Sequence, residues 1–221
     1  MKEIGHIYLS WRRGQGERRH IVGVLKKNAT QGVRFAYLLK GVDSAKQEGF
    51  TPYPEFPEIG REYTDNVEEI FGQRITKSER SDISDFLDFW EIDTKYKDQK
   101  FYLLAHTQGL NPTDNFEFLA DYNPTKSLRF LTDLASLSAR KLPAGSIEKG
   151  DTLTYQLEAD NQHDKEAVKV FKGDIFVGYI KKVHNKVFHK SGAGKFKLTV
   201  KAIEQNGIIK RVFVKVVASN S

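Results

Sequence analysis

The stretch LEADNQHDKEAVKVFKGDIFVGYIKK, residues 157–182, decides how the last part of this chain folds. Three acids, an Asn and a His crowd between Glu158 and Lys165, and a hydrophobic alternation follows. Ala167, Val168 and Val170 open one strand, IFVGYI forms the next, and Gly173-Asp174 between them marks a hairpin. Asp160, Asn161 and Asp164 stand between two strands, where Asx side chains bond their own backbone and fix tight turns. That role suffices for Asp160 and Asn161. Asp164 immediately precedes a strand, which presents its carboxylate rigidly at the strand's mouth. Lys181 and Lys182 close the paired strand and come to the same mouth. A carboxylate beside lysines suits a hydroxyl and a phosphate together, and nucleic-acid ends carry both.

Strand signals continue on either side of this stretch. SLRFLTDLAS and TLTYQLEA precede it, and KFKLTVKAIE and IIKRVFVKVVA follow, the last two joined by Asn206-Gly207, a strong type I′ hairpin signal. Between them KKVHNKVFHK reads as a short helix. Closely spaced strands of this kind predict a small barrel.

The front of the chain differs. IGHIYLSW, HIVGVLKK and GVRFAYLLK are strand-like and separated by glycine-containing breaks. Three prolines in EGFTPYPEFPEIGREY force an extended path, and its aromatics in a polar setting suit a protein interface. SDISDFLDFW places Ile83, Phe86, Leu87 and Trp90 on one helical face, with Ser81 as N-cap. KDQKFYLLAHTQG reads as another short helix closed by Gly109. LNPTDNFEFLADYNPTK, with two Asn-Pro pairs, reads as a boundary. The fold class is therefore α+β, a small N-terminal β-sheet with helices followed by a C-terminal β-barrel with a short helix.

Charge separates the two parts. Residues 151–221 hold 13 Lys/Arg against 7 Asp/Glu, while residues 1–150 hold 22 of each sign. The whole excess of +6 thus sits in the β-rich third, which points to a polyanionic partner. The chain has no cysteine, so it carries no disulfide, thiolate zinc site or cysteine nucleophile. No run approaches the roughly 18–20 apolar residues of a membrane helix, and MKEIGHIYLSWRRG lacks a signal peptide's apolar stretch. These features predict a cytoplasmic chain with no membrane partner.

Catalytic and metal motifs are absent or weak. GQGERR has neither a third glycine nor a Walker lysine and reads as a hairpin turn. Glu91, Asp93 and Lys95 in EIDTK form an acid-x-acid-x-Lys arrangement that a metal-dependent nuclease could use, but after an amphipathic helix such residues simply meet solvent. His184 and His189 lie five apart, off the spacing at which two imidazoles share a metal on a helix. The reading is of a non-enzyme without cofactor, catalytic centre or metal site.

DNQHDKEAVKV and GDIFVGYIKK together resemble the HIRAN domain. That family couples an Asn and an Asp to an Ala-(Ile/Val)-x-Val strand, a hairpin, and a Val-Gly-(Tyr/His)-(Ile/Leu)-x-(Lys/Arg) strand. The likeness covers residues 126–221 and implies an OB-like or SH3-like barrel that captures 3′ ends of single-stranded DNA. It implies that Asp164 meets the terminal 3′-hydroxyl, that Lys182, with Lys181 beside it, meets phosphate, and that Arg140 and Lys141 form an upstream basic pair. His163 occupies the place of a base-stacking tyrosine, and a later stacking phenylalanine has no clear counterpart.

IYLSW, HIVGVLKK and VRFAYLLKG, with NVEEIFGQRITKSER, are similar to the N-terminal subdomain of HipA-type kinases, over residues 1–95. The kinase core is absent, because no catalytic-loop Asp with matching metal-binding residues occurs. The expected organisation is a HipA-N-like region over 1–95, a helical connector over 96–125 and a HIRAN domain over 126–221. The expected function is a DNA-binding adaptor whose front half contacts a partner such as a HipA-like kinase or a helicase. Its rivals are an antitoxin-like interaction subunit without DNA binding, and the nuclease.

Overall fold

β-branched and aromatic residues carry the chain into strand from its fourth residue. The computed structural model describes residues 3–14, 16–75, 82–111, 113–191 and 194–219. Two units emerge, one of Ile4–Asp88 and Ile92–Asp121, the other of Met1–Glu3, Phe89–Glu91 and Tyr122–Ser221.

The first unit is a five-stranded sheet with helices. Its strands are β1 (Ile4–Trp11), β2 (His20–Asn28), β3 (Gly32–Tyr37), β4 (Glu62–Tyr63) and β5 (Phe116–Tyr122), in the order β4-β3-β2-β1-β5. The helices are α1 (Leu39–Lys46), α2 (Val67–Gly72), α3 (Ile83–Phe89) and α4 (Lys100–Thr107). Phe35 is fully buried, with the rings of Tyr37, Phe56, Tyr63 and Phe71 at 4.8–6.3 Å. Gly41 lets α1 lie against β2, because a Cβ there would fall 1.8 Å from the Ile21 carbonyl oxygen.

The proline-rich stretch is part of this core. Tyr53 N–H donates to the Tyr37 hydroxyl (2.8 Å), which donates to the Phe56 carbonyl (2.8 Å). Phe50 and Phe56 are buried. The expectation of an aromatic interface here is corrected, because the rings point into the unit's own core. In the β1–β2 connection Arg12 and Arg19, the last residue of GQGERR, both pair with buried Glu117 (3.1 and 2.7 Å).

The 96–125 segment is no connector. α4 ends at Thr107 with Gln108 and Gly109 both at positive φ, as the closing glycine predicts. FEFLADY is strand β5, with Phe118, Leu119 and Ala120 fully buried. Arg74, itself nearly buried, forks onto Asp114 (2.6 and 2.8 Å) and donates to the Gly109 carbonyl (2.8 Å), tying α2's end to the turn before β5. Ser81, expected as an N-cap, lies outside the described residues. α3 stops at Phe89, so Trp90 leaves the helical face expected for it.

The second unit is a curled antiparallel sheet. It comprises β6 (Arg129–Asp133), β7 (Thr152–Glu158), β8 (Ala167–Lys172), β9 (Ile175–Tyr179), a 3₁₀ helix (His184–Phe188), β10 (Lys195–Asn206) and β11 (Ile208–Ser219). The order is β6-β11-β10-β7-β8-β9. The sheet curls until its edges meet: Ala135, just past β6, exchanges backbone bonds with Tyr179 of β9 (2.8 and 3.1 Å). Gly178 permits this closure, since a Cβ there would sit 2.6 Å from the Ala135 carbonyl oxygen. Phe130, Val168, Val170, Val177, Leu198 and Val214 fill the interior.

The 3₁₀ helix plugs one barrel end, with Phe188 against Tyr155 (5.0 Å) and Phe196 (4.7 Å). Two outlying segments complete this unit. Tyr122, fully buried, stacks on Phe130 at 4.2 Å. Phe89 and Trp90 cover Phe213 (5.4 and 6.2 Å), and buried Glu91 pairs with Lys201 (3.0 Å) and Lys215 (2.7 Å). The unit therefore begins at Tyr122 and recruits 89–91, where the sequence suggested a start at 126.

Candidate nucleic-acid interface

The β7–β8 connection is a chain of side-chain-to-backbone bonds. Asn161 Oδ1 accepts from the N–H groups of His163 (2.9 Å) and Asp164 (3.0 Å). Its amide donates to Glu158 (2.8 Å). Asp164 Oδ1 accepts from Glu166 N–H (3.0 Å), and Oδ2 accepts from the Asn185 amide (2.8 Å), which also donates to the Glu166 carbonyl (2.6 Å). Asp164 is thereby anchored to the 3₁₀ helix as well as to its own turn. An ionised carboxylate offers about four acceptor positions, so acceptor capacity remains.

Lys181 and Lys182 part company. Lys181 is 0% exposed and its ammonium pairs with the buried Asp133. Arg211 holds the other oxygen of Asp133 at 3.0 Å. The expectation that Lys181 meets phosphate is corrected: its ammonium is buried and engaged by Asp133. Lys182 is exposed. Between this pair and the 3₁₀ helix, Val183 adopts φ 79, ψ −54 while buried, a strained setting for a β-branched residue.

His163 and Asp164 share the Asn161 turn, and Asn185, which holds Asp164, also donates its backbone N–H to the Lys181 carbonyl next to Lys182. His163 is exposed, with its ring at the turn surface. Arg140 and Lys141 lie elsewhere. The Arg140 guanidinium rests 4.2 Å from the centre of the Phe176 ring on the outer wall. Lys141 is exposed in the left-handed region (φ 49).

That wall holds the residues sequence reasoning missed. β8 and β9 pair Lys169 with Tyr179 and Phe171 with Phe176, and Val177 is an extra residue in β9 that the register skips. The bulge turns Val177 inward and leaves both Phe176 and Tyr179 half-buried on the outside. Phe176 lies 5.5 Å from Phe171 and 5.2 Å from Tyr179. The Tyr179 hydroxyl donates to Glu158 (3.0 Å), which also holds Lys169 (2.5 Å). Lys169 and Asn161 hold the Glu158 carboxyl below the usual carboxylate range, while desolvation and Glu158 push the Tyr179 phenol up. The alternation in AVKVF and IFVGY was the available signal; the bulge was not.

The nuclease residues have separate partners. Glu91 is held by Lys201 and Lys215, while Asp93 caps a 3₁₀ turn (Thr94–Tyr96) and pairs with Lys95 (3.0 Å). Among the described residues no group of three or more His, Asp or Glu is disposed to hold a metal. No helix among them is long and apolar enough to cross a membrane.

Fold and site define a small antiparallel barrel with a polar, partly basic end and an aromatic outer wall. Two solved structures are similar to part of the chain. The HIRAN domain of human HLTF is 16% identical, over 40% of this chain and 74% of that one, with a TM-score of 0.32. A protein from Lactobacillus plantarum is 16% identical, over 41% and 94%, with a TM-score of 0.33. No family model and no curated protein matches the chain.

Proposed function

We propose that the barrel binds single-stranded DNA at its 3′ end and that the chain is a non-enzymatic adaptor. The observation that carries this is the continuity of the anchored Asp164 turn with the half-exposed rings of Tyr179 and Phe176, the latter capped by Arg140. Single-strand binders combine cations with rings on which bases stack. Lys182 and the +6 excess of residues 151–221 supply the cations. The HIRAN-like motif agrees with this reading. In this reading Asp164 accepts the terminal hydroxyl, His163 lies against the last base and Lys182 meets phosphate.

The test is a titration of short oligonucleotides ending in 3′-hydroxyl or 3′-phosphate, across a range of salt. Contact with roughly three phosphates gives a log–log salt slope near −2. Lys182→Ala weakens both ligands and flattens the slope by somewhat under one. Asp164→Ala erases the preference for the hydroxyl, because a hydrogen bond to a charged group contributes about 1.5–3 kcal/mol. Equal wild-type affinity for the two ends returns Asp164 to a turn role. No binding at all favours the second reading, an antitoxin-like interaction subunit, which the hydrogen bond already made by each Asp164 oxygen within the protein supports. The front unit, whose residues 1–121 hold 17 Lys/Arg against 20 Asp/Glu and so lack the cationic excess, is the half assigned to a protein partner such as a HipA-like kinase or helicase. Co-purification with and without residues 1–121 tests it.

A further inference from the structure

Across the barrel from the aromatic wall, register lines up cations that the end-binding reading does not use. Lys197 of β10 pairs with Val217 of β11, and Val217 pairs with Arg129 of β6. Lys195 stands one repeat further out, opposite Ser219, and Lys126 lies in the turn leading into β6. The neighbouring positions Phe196, Leu198, Phe130 and Val216 are buried in the barrel, so the row must face outward. All four cations are exposed, and none is in an ion pair among the described residues. No acidic residue shares the row.

We propose that this row is a docking face for the backbone of double-stranded nucleic acid. Neighbouring strands lie about 4.8 Å apart, so Lys197 and Arg129 stand roughly 10 Å apart on a three-stranded surface. A duplex presents one negative charge per about 1.7 Å of axis, and such a span faces several phosphates at once. The choice of duplex over single strand follows from what the face lacks. A single strand offers unpaired bases and gains from rings to stack them on, and this row presents only Val217 between its cations. A duplex has its bases already stacked inside and needs only charge from a partner.

The deciding probe is a covalently closed duplex minicircle, which has neither ends nor single-stranded segments and so bypasses the Asp164 site. Wild-type protein is expected to bind it with a log–log salt slope near −3, from about three or four phosphates at roughly −0.9 each. Arg129→Gln/Lys195→Gln/Lys197→Gln is expected to lose at least about tenfold in minicircle affinity at low salt and to flatten the slope by about two to three units. A four-nucleotide 3′-hydroxyl oligonucleotide is the control, and its affinity is expected to stay within about twofold. The substituted side chains are exposed, and an unchanged melting temperature confirms that the barrel is intact. No wild-type binding to the minicircle, or full retention by the triple variant, overturns the proposal whatever the oligonucleotide does. Equal loss on both ligands overturns it too, since the row would then serve the end site. Minicircle binding without oligonucleotide binding upholds the duplex face and defeats the end-binding reading alone.

Discussion

Two adjacent lysines show how much a single residue step decides. Lys181 and Lys182 look alike in sequence, yet one is sealed against Asp133 and the other meets solvent. Both lysines lie past the end of β9 and Lys182 is already in a turn, so strand alternation in IFVGYIKK could not tell them apart; the partner that buries Lys181, Asp133, comes from a distant strand. Removing one partner of a buried pair leaves the other uncompensated. Asp133→Ala removes the buried carboxylate that Lys181 and Arg211 share and is expected to cost about 3–5 kcal/mol, whereas Lys181→Met leaves Asp133 on Arg211 and costs less; denaturant midpoints separate them. Glu158 yields a pH prediction. A carboxyl held low in the folded state contributes stability that is present above its unfolded pKa and lost as pH falls through the folded value. Wild type is expected to lose stability more steeply than Glu158→Gln between about pH 5 and pH 3, as thermal melts across that range would show.

At the scale of elements, hairpins were readable and closures were not. Gly173-Asp174 and Asn206-Gly207 turn the chain where their φ-permissive glycines predict. β5 went unseen because Asn-Pro pairs flank it, and their turn signal outweighed a buried run of three residues. The Ala135–Tyr179 bridge has no local signature, since it joins segments 44 positions apart. Gly178 was visible in the Val-Gly motif, but its reason is steric and belongs to the closed barrel. Gly178→Ala must push back a carbonyl in contact with β9 and is expected to cost about 1–3 kcal/mol. Hydrogen exchange at the Ala135 and Tyr179 amides would show it as loss of protection confined to that seam; uniform loss over all strands would argue against a local closure.

At the scale of the molecule, the barrel unit is not contiguous in sequence. A fragment starting at residue 126, where the resemblance starts, omits Tyr122 and the 89–91 segment. It thereby empties a fully buried ring site on Phe130 and uncovers Phe213. Loss of a large buried aromatic costs about 3–5 kcal/mol, a large share of a small domain's stability. The 126–221 fragment is expected to melt well below 122–221, and both below the full chain, by calorimetry; equal melting temperatures would show that Tyr122 contributes little. Composition announced the charge segregation, but not the row of Lys197 and Arg129, because that depends on which strands pair and in what register. The opposed lysines also make the molecule its own reporter. An amine-reactive reagent should acylate Lys182 within seconds of mixing. Lys181 should react only during moments when the barrel comes apart. The ratio of the two adducts, read in a single tryptic peptide map, would clock the opening rate of the domain without any engineered label.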